Sequence, residues 1–435
     1  MPTALPSATA EPTSTLTPMP LPTFTPTPTP VPDVLFVDAG QGLGAINPLV
    51  YGTNTGPWQN LTRSLQPYIE QGGFTLLRFP GGNWGDEYAL SEQQLDDFIA
   101  LCRQLQAEPM VHVRLYRAEP EDAVRWVRYA NLTRGYGVKY WAIGNEPSLY
   151  ASNRQQWEYD TDAFNQHWRE FALAMKAVDP SILLIGPETH QYTGVRGENP
   201  VDRHTKDWMR EFLIANGDLV DIVSFHRYPF GQFDPTINQL RKNSQEWDGI
   251  IPRLRQLIRE TTGRDLPIAV TEVNSNWSNR QSKEGTPDSL YNAIWWGDVL
   301  GRLINQRVDF VAHFALEGAG GLGMLTTRGP RPIYYVYALY QHFGSELVYA
   351  SSDDPNVRLY AARRADQALT LMIVNLGPDE ATKPLQLAGF TPSGPAEAWR
   401  LDAEHQAEPL DPQPIEDGAS LTLPGQSITL FILSP

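Results

Sequence analysis

The sequence predicts an α/β protein, a (β/α)8 TIM barrel followed by a C-terminal β-sandwich. Three observations carry that expectation. From residue 34 onward, short β-rich runs alternate eight times with amphipathic helical stretches. After Gly344 the helical period stops, and short alternating runs separated by Gly, Pro and Asp take over. The chain has 435 residues, enough for one large barrel and a smaller unit. A doubly wound open sheet also alternates strand and helix, but no G-x-G-x-x-G follows an early strand.

Residues 1–32 stand apart in composition. They hold 10 Pro, 9 Thr and 2 Ser, and their one charge is Glu11. Too little apolar surface is present to offset the entropy of ordering, so an extended, polyproline-like tether is expected. Such linkers suit a secreted or cell-surface tethered protein and leave room for an upstream anchor or carbohydrate-binding module. No charged n-region or apolar h-region precedes the tether. The barrel is expected over 33–344 and the sandwich over 345–435, with 33–47 long enough to add a strand to the sandwich.

The eight expected barrel strands are 48–54, 74–80, 109–115, 138–145, 182–187, 221–228, 266–273 and 308–316. Helices are expected near 61–72, 91–107, 119–135, 161–178, 203–216, 236–262, 288–306 and 332–343. In the second of these, Leu95, Phe98, Ile99, Cys102 and Leu105 mark one apolar face. Cys102 therefore reads as core and not as a nucleophile. In the sandwich, 357–362, 368–375 and 427–433 carry the strand pattern.

Composition removes several function classes. Acidic residues exceed basic ones, 50 to 34, for a net charge of −16. A nucleic-acid or anionic-membrane partner requires a cationic surface, so neither is expected. A single cysteine forms no internal disulfide and no thiolate zinc cluster. The longest near-apolar run, 308–325, contains Asp309, His313 and Glu317, so no membrane insertion is expected.

Two glutamates fall at strand ends. Glu146 follows Trp141-Ala142-Ile143-Gly144-Asn145 at the end of barrel strand four, and Glu272 ends Ile268-Ala269-Val270-Thr271 in strand seven. Acids at those positions face the catalytic mouth of a barrel. Glycoside cleavage requires one carboxylic acid to protonate the leaving oxygen and a second carboxylate to attack or to activate water.

On these residues the chain resembles the clan A retaining glycoside hydrolases. Asn145-Glu146-Pro147 is similar to that clan's acid/base motif, and Thr271-Glu272 with Asn274 to its nucleophile strand. Leu77-Arg78-Phe79-Pro80-Gly81-Gly82-Asn83 resembles the strand-two motif of glycoside hydrolase families 44, 51 and 79. Ala107-Glu108-Pro109-Met110 and the run from Val138 to Glu146 look most like family 51, while Asn145-Glu146-Pro147 and Thr271–Ser275 lean to family 39. Pro147 replaces the Met of family 51, and the D-E-W-N form at the nucleophile is absent.

The resemblance implies Glu146 as acid/base and Glu272 as nucleophile. It implies Asn145 on the sugar 2-hydroxyl, Arg78 as the cation beside Glu272, and Tyr228 as a donor to it. Asn83, Trp84, His226 and Trp277 are the further expected substrate-binding residues. Aromatics also crowd the other strand-end loops: Trp58, Tyr116, Tyr150, Trp157, Tyr192 and Phe230. Flat ring faces suit stacking on sugars, and about half of these are expected to be packing. Neither cofactor nor metal is expected.

The implied activity is retaining cleavage of β-glycosidic bonds in a plant-wall type glucan or xylan, inside an extended cleft. An exo-acting arabinofuranosidase or β-xylosidase-like enzyme is the alternative, and a non-catalytic glycan-binding surface protein is the alternative from another class. A metal-dependent barrel hydrolase would draw on His112, His190, His226, His313, Glu188 and Glu317.

Overall fold

Asn47 and Pro48 decide where the barrel begins. The Asn47 side chain accepts from the Leu49 N–H at 3.0 Å, and Pro48 fills the first turn, so Pro48–Val50 winds into a 3-10 turn. The first barrel strand is thus Gly52–Asn54, shorter than the expected 48–54. The computed structural model describes residues 31–231, 233–318 and 320–435, so nearly all of the expected 1–32 tether lies outside the described residues.

Strand β1 (Leu35–Ala45) precedes the barrel. Eight parallel strands then close on themselves: β2 (Gly52–Asn54), β3 (Leu76–Phe79), β4 (Glu108–Val113), β5 (Tyr140–Ile143), β6 (Leu183–Thr189), β7 (Ile222–Arg227), β8 (Ile268–Val273) and β9 (Phe310–His313). Each falls within or against one expected strand. The helices follow likewise, with 161–178 helical end to end. The segment expected as a helix over 203–216 turns helical at Trp208, because Asp207 caps there by accepting from the Arg210 N–H at 3.0 Å. A short hairpin, β10 (Leu325–Thr326) and β11 (Gly329–Pro330), lies beyond the last barrel strand.

Inside the barrel, Leu76, Met110, Ala142, Ile185, Ile222, Ala269 and Phe310 supply one side chain from each of β3 to β9 and pack with Leu49. This plug closes the lower end, so the polar side chains further along the strands gather at the C-terminal mouth. Cys102 is buried on the barrel face of its helix.

Two strand irregularities shape that mouth. Pro187 pairs with Ser224 and Thr189 with Phe225, leaving Glu188 as an extra residue on β6. Phe225 pairs with Val270 and His226 with Glu272, leaving Thr271 extra on β8. A bulge of this kind re-aims the side chains around it.

The second layer is one curled nine-stranded sheet. Its strands are β12 (Glu346–Ser351), β13 (Val357–Arg363), β14 (Leu369–Asn375), β15 (Ala381–Ala388), β16 (Ala396–Leu401), β17 (Gln406–Gln413), β18 (Ser420–Leu423) and β19 (Ser427–Leu433), with β1 between β12 and β15. The N-terminal strand therefore belongs to the sheet, paired antiparallel to β12 and parallel to β15. One face encloses its own apolar core around Val37, Leu359, Leu371, Leu385 and Phe431. From the other face Tyr360, Met372, Val374, Ile428 and Leu430 join the core that holds Trp295 and Trp296 of the barrel helix Leu290–Asn305.

Candidate active site

Glu272 is held from three sides. Arg78 Nη1 donates to its Oε1 at 2.7 Å, the Gly82 N–H donates to the same oxygen at 2.9 Å, and the Tyr228 hydroxyl donates to Oε2 at 2.9 Å. The β8 bulge brings this carboxylate opposite His226. Arg78 is wholly buried and binds four side chains. Besides Glu272 these are Asn54 at 2.9 Å, Asn145 at 2.9 Å and Glu188 at 2.6 Å. Burial works against its charge, but Glu188 and Glu272 outweigh that cost and raise its pKa further.

Asn145 and Glu146 leave β5 on a backbone anchored from below and from the side. Buried Asp86 accepts from the Asn145 N–H at 2.8 Å and the Leu115 N–H at 2.8 Å, and from the Tyr150 hydroxyl. Burial alone would raise the pKa of Asp86; His112, Arg154 and the Tyr150 hydroxyl overcome it and hold the pKa at about 2. The Glu146 N–H donates to the Glu188 carbonyl at 3.0 Å, and Glu146 itself sits at φ 49°, in the left-handed region. Its carboxylate meets His226, with Nδ1 3.0 Å from Oε1. Burial raises the pKa of Glu146, but the hydrogen bond and charge of His226 win and lower it.

The cavity at this mouth has a volume of about 530 Å3, within the range of small-ligand sites. Of the residues expected from sequence, Asn83, Asn145, Glu146, Tyr228, Glu272 and Trp277 line it. Arg78 and His226 lie buried behind the carboxylates. Trp84 does not reach the cavity; its ring stacks on Tyr88 at 5.5 Å, because the short helix Trp84–Glu87 turns it outward. Leu149, Asn153, Gln191 and Phe314 line the cavity although the sequence reading assigned them no part in it, as does His190, which that reading considered only as a metal ligand. Phe314 directly follows β9, and Trp58 stacks on it at 6.1 Å.

The expected wall of loop aromatics is reduced. Tyr150 and Tyr192 are buried packing residues, since each belongs to an aromatic contact beneath its loop, Tyr150 with Tyr159 and Tyr192 with Phe225. Trp157, 66% exposed, is not part of the cavity lining, whereas Trp277, 57% exposed, is. The residues a metal hydrolase would draw on do not converge as a set. His313 packs on Trp296, Glu317 accepts from the Asn60 N–H at 2.8 Å, and the His112 Nδ1 faces the Pro80 carbonyl at 3.1 Å. Among the described residues, Glu146, His226 and Glu272 are the grouping with metal-compatible spacing, their ligand atoms within 4.8 Å of one another. There, however, His226 is already engaged by carboxylates at both ring nitrogens.

Comparison with known proteins gives a consistent picture. No protein-family model matches the chain. The chain is 23% identical over 247 residues to the intracellular exo-α-(1→5)-L-arabinofuranosidase of Streptomyces lividans, covering 43% of this chain and 35% of that enzyme. It superposes on the bifunctional glucanase-xylanase CelM2 from a metagenome library with a TM-score of 0.72 at 21% identity, covering 92% of this chain and 98% of the other. The α-L-arabinofuranosidase of Thermotoga maritima gives a TM-score of 0.74 at 18% identity, covering 92% of this chain and all of that one, 100%.

The likeness is to the clan A glycoside hydrolases.

The chain spans about a third of the length of the curated relatives it matches, while the solved structures share its fold from end to end. A clan A site has to hold one carboxylate bare and oriented beside a second that handles protons. In this chain Glu272 is fixed by Arg78, Gly82 and Tyr228, and Glu146 is in contact with His226.

Proposed function

We propose that the protein is a retaining glycosidase working by double displacement, with Glu272 as nucleophile and Glu146 as acid/base. The observation that carries this reading is the pairing of the two carboxylates, whose oxygens come within 4.8 Å across one cavity. Retaining enzymes place their carboxyl groups about 5–5.5 Å apart, whereas inverting enzymes leave about 6.5–9.5 Å for a water. Glu272 attacks the anomeric carbon while Glu146 protonates the departing oxygen. Water then enters on the same face, gives a proton to Glu146, and releases the sugar with its original configuration. Asn145 Oδ1 is held by Arg78, which supports its amide as the partner of a sugar hydroxyl beside the reacting carbon.

The cavity supports removal of a terminal sugar, of arabinofuranosyl or xylosyl type. It is compact, and of the loop aromatics Tyr150, Trp157, Tyr192 and Trp277 only Trp277 lines it. The sequence likeness to an exo-acting arabinofuranosidase points the same way. Internal cleavage of a glucan or xylan is the second reading, favoured by the exposed Trp277 at the rim. The Pro- and Thr-rich residues 1–32 support action outside the cell or at its surface on a glycan too large to import.

The test is incubation with 4-nitrophenyl α-L-arabinofuranoside and β-D-xylopyranoside, a soluble xylan and a β-glucan. Products are separated by chromatography, and the first-formed anomer is read by proton NMR. Monosaccharide released with retention supports the exo reading. Early mixed oligosaccharides transfer support to the endo reading, and inversion overturns the double displacement.

A further inference from the structure

We propose that Glu188 is a positioning residue that makes His226 the proton store of the acid/base Glu146. This inference rests on the glycosidase reading above and assigns a function to a third buried carboxylate which that reading leaves idle.

Glu188 is fully buried at the β6 bulge, with its backbone at φ 57°. Left-handed backbone is unfavourable for a glutamate, and a buried carboxylate is costly unless paired, so the fold concentrates two penalties at one residue. Its partners account for the charge. Oε1 accepts from the Thr271 hydroxyl at 2.7 Å, and Oε2 accepts from Arg78 at 2.6 Å and faces His226 Nε2 at 3.3 Å. The Glu188 N–H donates to Ser224 Oγ at 3.1 Å.

His226 is thereby placed between carboxylates. Its Nε2 faces Glu188, while its Nδ1 lies 3.0 Å from Glu146 and 3.6 Å from Glu272. Arg78, which shares Glu188 with it, Tyr228 just beyond the end of β7, and His190, whose charge it feels, are further titratable groups around it. Burial opposes a charge on His226. Glu272 and the hydrogen bonds with Glu146 and Glu188 prevail, raising its pKa to about 10. The hydrogen bond and charge of His226 in turn lower the pKa of Glu146, which favours the proton on the imidazole and a bare carboxylate 3.0 Å from Nδ1. A general acid in that state has to draw its proton from a neighbour.

The step balances as follows. The Nδ1–H bond of His226 breaks as an O–H bond forms on Glu146 Oε1, and the imidazole becomes neutral with its remaining proton on Nε2, hydrogen-bonded to Glu188. Glu146 gives the proton to the glycosidic oxygen, which takes the electron pair of the breaking C–O bond while Glu272 bonds to the anomeric carbon. In hydrolysis a water adds to that carbon, Glu272 departs with its electron pair, and the water's proton passes through Glu146 back to Nδ1. Glu188 fixes the tautomer and stabilises the imidazolium without touching the substrate.

The experiment compares wild type with Glu188→Gln in two ways. The first follows the His226 ring nitrogens by nitrogen-15 NMR against pH. The second measures kcat/KM on phenyl and 2,4-dinitrophenyl glycosides of whichever sugar wild type hydrolyses. The expected result is a His226 titration at least one unit lower in the variant, with the alkaline limb of kcat/KM moving down with it. Phenol requires protonation and dinitrophenol does not, so the ratio of rates on the two substrates should shift about tenfold or more against phenyl. Equal losses on both substrates, with an unmoved pH profile, would overturn the proposal. If Glu188→Gln does not fold, His226→Gln carries the test and has to show the same leaving-group dependence. A wild type in which His226 titrates near 6.5 also overturns it. High titration of His226 without turnover of any glycoside would sink the glycosidase reading and leave the Glu188–His226 pair standing.

Discussion

Gly82 shows how one residue without a side chain orders the Glu272 carboxylate. Its φ of 64° lies in the left-handed region, its N–H holds Glu272 Oε1, and a Cβ there would stand 3.1 Å from the Phe314 ring. Gly82→Ala strains the backbone by about 1 kcal/mol and moves this donor, so kcat/KM should fall about tenfold with a small loss in melting temperature. An unchanged kcat/KM would remove the N–H from the account. His313 gives a second prediction, on stability. Burial lowers its pKa to about 3, so the folded protein keeps it neutral where the unfolded chain takes up a proton. Its contribution is complete above the ordinary value of 6.5 and is lost as pH falls from 6.5 toward 3, at about 1.4 kcal/mol per pH unit. His226 works in the opposite sense, its contribution being complete below 6.5 and lost as pH rises through about 10. Melting temperature should therefore drop in mild acid, and His313→Leu, which leaves no ring nitrogen to protonate, should flatten that slope. A slope equal to wild type in this variant would assign the acid sensitivity to other groups. Glu146 and Glu272 were legible in the sequence because each ends a β-rich run, and strand ends face the mouth. Glu188 was legible only as a strand-end acid that a metal-dependent hydrolase would draw on. Its position depends on an extra residue in β6 relative to β7, and that register is a property of two strands together.

At the scale of elements, the helix Leu290–Asn305 joins barrel to sheet, alongside the helix Pro332–Tyr340, which packs on β16 and β17. Gly297 and Gly301, one turn apart, face the sheet, and a Cβ on them would come 2.3 Å from Ile428 and 2.4 Å from the Tyr360 ring. The close approach lets the Tyr360 hydroxyl reach Asp298, which also receives Arg302 Nε at 2.9 Å. Alanine is worth about 1 kcal/mol more than glycine inside a helix, but overpacking a rigid core costs about 1–3 kcal/mol. Gly301→Ala should therefore lower the melting temperature in spite of its better helix propensity, with kcat/KM unchanged since the site is at the far end of the strands. A raised melting temperature would mean that the ring yields. Element boundaries were the less legible part of the sequence. The run from Pro48 to Asn54 reads as one strand until the Asn47 cap is seen to wind its first three residues, and 203–216 reads as one helix until Asp207 caps it at Trp208. The aromatic loops failed in another way: Tyr150 and Tyr192 are apolar enough to be drawn inward, and sequence distance from a strand end does not distinguish a platform from an anchor.

Across the whole molecule, barrel and sheet share one apolar core, and the chain crosses between them twice. β1 enters the sheet before the barrel starts, and Tyr360, Met372, Ile428 and Leu430 cover helices that follow it. A chain ending at residue 344 would expose that surface and strand β1 without partners, so it should aggregate or lack a cooperative transition. A folded, active barrel from such a truncation would show the sheet to be an independent unit. The eightfold alternation was legible because a barrel repeats one local pattern. The place of β1 was legible only as surplus length, since its partners lie more than three hundred residues away. The central claim concerns two carboxylates at one mouth, and azide rescue tests it most directly. Glu272→Ala should lose turnover, and azide should restore it by direct attack, giving the glycosyl azide of inverted configuration. Glu146→Ala should keep more activity on dinitrophenyl glycosides, and azide should there yield the retained anomer, because the glycosyl–Glu272 intermediate still forms. Near-wild-type turnover in both variants, or the same azide anomer from each, would contradict the assignment.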